Sequence, residues 1–188
     1  MNHLLAYFSA LALTLAGCSV INPGPTARID GQCKDIEIHL SEMRSEKVDI
    51  WGESTEGGEA TAFKDSSDQI RMIRTIHYGE TGKSARKLYF ENGQLIHGEL
   101  VEHRYNKPIY MDAQRLAEMG IPDAEPFDPD KSEIKTYRYY FADGKLIQGI
   151  GPEDDPESTK PYPHRDESTI LMKMAKDLQN RFREKSAS

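Results

Sequence analysis

The chain has 188 residues, enough for one domain with a real core, and carries 31 Asp and Glu against 24 Lys and Arg. A formal net charge of -7 with no basic cluster argues against nucleic acid as a partner and against adhesion to anionic lipid heads through charge.

Leu4 to Ala16 form an almost unbroken apolar segment. It is shorter than the about 20 residues that a helix needs to cross roughly 30 Å of hydrocarbon, and it reads as the apolar part of a signal peptide over residues 1–17. The segment ends in Leu15-Ala16-Gly17-Cys18, which resembles the lipobox of bacterial lipoproteins. The resemblance implies that the Cys18 thiol takes a diacylglycerol, that residues 1–17 are removed, and that the new amino group receives a palmitate-type acyl chain. Several chains, at about 0.8 kcal/mol per buried methylene, anchor effectively permanently. Ser19 stands where resembling inner-membrane lipoproteins carry Asp, which implies the outer membrane, facing the periplasm, with the cell surface as the variant. Removing 17 of 188 residues leaves 171, and no charged residue precedes Cys18, so the whole -7 belongs to that part. Cys33 is then the one remaining thiol and an internal disulfide is excluded. Lys34 beside it could favour a thiolate, but a small core cysteine is the commoner case.

Residues 18–32, with two prolines and two glycines in "VINPGPTARIDGQ", read as a lipidated flexible tether, followed by one domain over 33–188. Ile36, Leu40 and Met43 at helical spacing behind Asp35 predict a short helix from Asp35 to about Ser45, with a strand as the alternative because Ile36, Ile38 and Leu40 also alternate. From Lys47 on, alternation predicts strands in "KVDIWGES", "EATAFKD", "QIRMIRTIHYG", "SARKLYFE", "QLIHGELVEHRY", "EIKTYRYYFA" and "KLIQGIG". Asn92-Gly93 and Asp143-Gly144 suit two-residue turns that need positive φ at both positions. Residues 106–132 form a long excursion with a short helix from Asp112 to Glu118, and excursions of that length are often functional. "PEDDPESTKPYPHR" is a polar linker. Asp166 opens a last helix whose Leu171, Met174, Ala175, Leu178 and Phe182 share one face.

"LYFENGQLIHG" and "YYFADGKLIQG" align at an offset of 51 residues and look like two copies of one hairpin. The pattern is loosely similar to MORN-like variant repeats. Together with Glu53 to Gly58 and Tyr78 to Lys83 it more closely resembles uncharacterised bacterial envelope proteins with YYFxxGKLI-type hairpins, over roughly Val48 to Gly151. The resemblance implies the fold and carries no chemistry with it.

His97, Glu99 and His103 share parity on one strand, with Gly98 as a candidate bulge, but two neighbouring ligands do not hold zinc. Asp128, Asp130 and Ser132 resemble the opening of a calcium loop, but Glu133 stands where glycine is needed and Tyr139 where a closing glutamate is needed. Asp154 and Asp155 lie in the linker, where nothing separates their pKa values into acid and base. No nucleophile elbow, phosphate loop or His-Glu-x-x-His is present. Tyr89, Tyr137, Tyr139 and Tyr140 concentrate aromatic surface in the repeated hairpins. They are either core or, in the sharper reading, an exposed face for a partner.

The expectation is therefore an α+β domain, one antiparallel meander of about seven strands with an N-terminal and a C-terminal helix. In function it is a lipid-anchored, non-catalytic module with no cofactor and no metal, binding an envelope protein or polymer. A carrier of an apolar ligand, because a curved sheet closed by a helix can enclose a cavity, and an envelope hydrolase are the alternatives.

Overall fold

Period-two alternation of apolar side chains, punctuated by turn residues, sets out seven strands: β1 (Arg44–Ile50), β2 (Gly58–Lys64), β3 (Ile70–Gly79), β4 (Gly82–Glu91), β5 (Gln94–Arg104), β6 (Glu133–Ala142) and β7 (Lys145–Ile150). In the computed structural model, which describes residues 24–50, 56–152 and 165–186, they form one antiparallel sheet in sequence order. Cys18 with its motif, the end of the first expected strand from Trp51 to Ser54 and the linker with Asp154 and Asp155 lie outside the described residues.

Three helices join the sheet: α1 (Pro25–Ile38), α2 (Ala113–Glu118) and α3 (Arg165–Ser186). The two long ones cover opposite faces. Leu171, Ala175, Leu178 and Phe182 of α3 pack on Ile73, Leu88, Phe90, Tyr139 and Phe141, while Ile29, Cys33 and Ile36 of α1 pack on Met72, Tyr89, Ile96 and Tyr140. Neighbours such as Tyr89 and Phe90 thus enter different cores, as strand geometry requires. Gly98 lies under Leu171 of α3: a Cβ there would stand 3.5 Å from Leu171 Cδ1, an ordinary packing contact.

The expected helix from Asp35 to Ser45 is corrected. The helix starts at Pro25 and ends at Ile38, and the residues expected as tether from 25 to 32 are its first half. Pro25 suits the first helical turn, where a missing N–H costs nothing, and Ile29, Cys33 and Ile36 at spacings of four and three supply the buried stripe. Asp35 lies in its last turn and accepts from the backbone N–H of His39 at 3.3 Å. Leu40 and Met43, expected on that helix, still pack against the α1 core from the segment that follows.

The paired hairpins are alike in detail. Asn92 and Gly93 have φ of 51° and 76°, Asp143 and Gly144 have 50° and 70°, the backbone that a type I′ turn needs. In both, the register shifts between the Tyr and the Phe, so that Ile96 and Ile147 are the extra residues. The bulge is therefore at Ile96 and not at Gly98. A third bulge at Arg71, between Phe63 and Lys64 in register, repeats the arrangement in the β2–β3 hairpin behind a longer turn. Repeated bulges bend and twist a sheet in one direction.

Candidate functional site

A hollow of about 560 Å³ with a mixed polar and apolar lining opens where the C-terminal half of α3 meets the β2–β3 and β4–β5 turns. Its floor is polar at positions that parity assigns to the core. Lys64 follows Ala60 and Ala62 on the α3 side of β2, is only 3% exposed, and its Nζ donates to Glu46 Oε2 at 2.7 Å. A buried ion pair has to recover several kcal/mol of desolvation per ion, and an apolar pair of similar volume is often as stable. Gln179, next to Leu178 in the buried stripe of α3, donates through Nε2 to Gly93 O at 3.3 Å. At the rim, Asp68 pairs with Arg44. The Arg183 guanidinium has no ion-pair partner among the described residues, and the side chains of Gln69 and Asn92 have no hydrogen-bond partner among them.

The second hollow, about 390 Å³, lies under α1. Asp30, Cys33 and Glu37, spaced by three and four, point one way from the helix and meet polar groups of β4, β5 and β6. Tyr140 donates to Asp30 Oδ1 at 2.9 Å and Tyr89 to Glu37 Oε1 at 2.7 Å. Lys87 Nζ reaches the same Glu37 oxygen at 2.9 Å, and Arg74 reaches the other at 3.1 Å. Burial works to raise the Glu37 pKa, but the hydrogen bonds from Tyr89 and Lys87 and the charges of Lys87 and Arg74 outweigh it, so the carboxyl titrates below its usual range.

His97 sits between the rings of Tyr89 and Tyr140, at 5.6 and 4.6 Å, and its buried Nδ1 has no hydrogen-bond partner among the described residues. Burial holds its pKa below the ordinary value despite the nearby Glu99 and Asp30. Burial, and then the charges of Asp30, Glu37 and Glu99, push the Cys33 thiol up to about 12. A reactive cysteine needs the opposite surroundings, so Cys33 is a protonated core thiol and not a nucleophile paired with His97.

Of the two readings of the tyrosines, core or an exposed face for a partner, their burial decides for the core. Tyr89, Tyr139 and Tyr140 are buried and Tyr137 is half-buried against the α3 core, because a helix covers each face of the sheet. The Tyr140 hydroxyl, with its pKa pushed to about 12 by burial and by Asp30, serves as a donor. His103 keeps the parity of His97 but lies six residues along β5, about 20 Å away, in a shallow hollow near the β3–β4 turn. No group of three His, Cys, Asp or Glu that could hold a metal is gathered among the described residues. Asp128 and Asp130 do local work: the Asp128 carboxylate accepts from the Asp130 backbone N–H at 3.0 Å and starts a short helical turn.

Sequence reading missed Lys64, Gln179 and Arg183. The signal that could have found the first was parity, since Lys64 falls two residues after Ala62. Compared with known protein families, with curated proteins and with solved structures, the chain matches none of them.

Proposed function

We propose that this chain is a lipid-anchored envelope protein, a non-catalytic binding module held through Cys18 at the periplasmic side of the outer membrane and docking an envelope protein through the 106–132 excursion. The observation that carries the docking is the excursion itself. Ile109, Tyr110, Met119 and Ile121 are each between 44% and 55% exposed. The segment that presents them is fastened down: the Ile109 backbone N–H donates to Glu80 O at 2.8 Å and that of Phe127 to Met111 O at 2.8 Å. Asn106 Nδ2 donates to Pro126 O at 3.0 Å, Tyr105 packs on Phe127 with ring centres 5.1 Å apart, and Leu116 of α2 is buried. Large apolar side chains held out by an ordered backbone suit a preorganised interface.

The lipid-anchor part rests on Leu15-Ala16-Gly17-Cys18. Pro25 opens α1 seven residues after Cys18, a span of at most about 25 Å when fully extended, so a lipid there would hold the fold close to the bilayer. No helix of the described residues is long and apolar enough to cross a membrane. Charged linings suit an apolar cargo poorly. A hydrolase built on buried His97 would lack an activated nucleophile at Cys33.

Intact mass of natively produced protein tests the anchor: loss of residues 1–17 with a gain of acyl mass is expected, and residues 1–17 retained without acyl mass would overturn it. For docking, crosslinking in envelope fractions is expected to give a discrete adduct that Ile121→Glu with Met119→Glu abolishes, while Cys18→Ala releases the protein from the membrane. An adduct unchanged in the double variant rules the excursion out as the interface.

A further inference from the structure

We propose that the hollow between α3 and the hairpin turns binds a sugar bearing one carboxylate, with the carboxylate on Arg183 and the hydroxyls on the carboxamides of Gln69, Asn92 and Gln179. This site goes beyond the docking excursion and lies at the opposite end of the sheet: the hollow borders the β2–β3 and β4–β5 turns, whereas the excursion is fastened to Glu80 and Thr81 in the β3–β4 turn.

Size and lining set the ligand class. A space of about 560 Å³ is within the range of small-molecule sites and takes one or two sugar rings. Among the described lining residues Ile70 is the one large apolar side chain and no aromatic ring is present, which argues against an apolar or stacking ligand. Each carboxamide offers a donor pair and an acceptor in one plane, a match for adjacent hydroxyls. Charge is nearly balanced: Lys64 is engaged by Glu46 and Asp68 by Arg44. Arg183 is left as the charge to be met, and its planar fork pairs two-to-two with a carboxylate.

The floor supplies the second, independent observation. Lys64 and Gln179 are both more than nine-tenths buried at positions where apolar side chains would pack without a desolvation cost. The fold retains polar groups there, where the α3 core borders the hollow. A rigid polar floor orients hydroxyls, which a methyl surface cannot do.

Backbone amide chemical shifts of the full mature chain, titrated with N-acetylmuramic acid, N-acetylglucosamine and glucose 6-phosphate, test this. Expected are saturable shifts at Gln69, Asn92, Gln179 and Arg183 with N-acetylmuramic acid, and at least tenfold weaker binding of the other two. Arg183→Gln, at an exposed position, should weaken the acid sugar at least tenfold and leave the neutral one unchanged. The double variant Lys64→Met with Glu46→Leu should fold as well as the parent and bind at least tenfold more weakly. Absence of saturable shifts, equal affinity for N-acetylglucosamine, tighter binding of the phosphate, or binding that survives Arg183→Gln each overturns the assignment. The anchor and the docking excursion are read by mass and by crosslinking, so failure here leaves both standing.

Discussion

On one side of the sheet α3 lays 22 residues over a seam that includes Ile73, Leu88, Phe90, Tyr139 and Phe141, and contributes Phe182 with no exposed surface. On the other side α1 lays 14 residues, buries Ile29, Cys33 and Ile36, and meets the sheet through Glu37, Asp30 and the hydroxyls of Tyr89 and Tyr140. One face is held mainly by apolar area, which is insensitive to pH and directionless. The other adds to a smaller apolar cluster hydrogen bonds whose worth depends on protonation and geometry. Stability should therefore reside mainly with α3, and acid sensitivity with α1.

The largest expected effect tests the first half of that contrast. Phe182→Ala removes a fully buried ring and is expected to cost about 3–5 kcal/mol, read as a fall in the urea midpoint at pH 7 with the slope unchanged. Ile36→Ala under α1 should cost less, about 2 kcal/mol. A larger loss at Ile36 than at Phe182 would reverse the ranking of the faces. Next comes Glu37→Gln, which keeps the shape and removes the charge that Tyr89, Lys87 and Arg74 converge on. Because Lys87 and Arg74 are each about 40% exposed, the expected loss is modest, about 1–2 kcal/mol at pH 7. The carboxyl pKa is lowered in the fold, so this contribution is present above the unfolded carboxylate pKa and disappears as pH falls through the folded one. Urea midpoints collected from pH 7 down to pH 3 should converge for the two proteins. A constant gap across that range would mean that Glu37 acts through packing alone.

The sheet was legible because its signals are local and redundant: alternation marks the strands, and Asn92-Gly93 and Asp143-Gly144 fix where the chain reverses. The first half of α1 was hidden by composition. Gly24, Pro25 and Gly31 read as a tether, although a proline at the first turn is what a helix start tolerates, and the stripe Ile29, Cys33, Ile36 was in view. The tyrosines were ambiguous for a deeper reason. Alternation says that Tyr89 and Phe90 face opposite sides, and only the tertiary structure says that both sides are covered. The hollow beside α3 was out of reach for the same cause, since Lys64 and Gln179 are 115 positions apart in sequence and meet only when the helix docks.

The smallest effect is the most specific to the α1 face. His97 is kept neutral by burial between Tyr89 and Tyr140, with its folded pKa below the unfolded value. Between the two values the unfolded chain binds the extra proton, so the contribution is complete above about pH 6.5 and is lost as pH falls from there through the folded pKa. The slope it adds is at most about 1.4 kcal/mol per pH unit. His97→Gln should flatten stability in that window. Glutamine keeps a hydrogen-bonding carboxamide at this position and cannot take the extra proton. His103, also lowered, adds to the wild-type slope, and exposed His39, raised by Asp35, opposes it. The quantity to read is therefore the difference between the two proteins at each pH. If that difference stays constant from pH 7.5 to 5, the imidazole is as easily protonated folded as unfolded, and the α1 face owes its acid sensitivity to Glu37 instead.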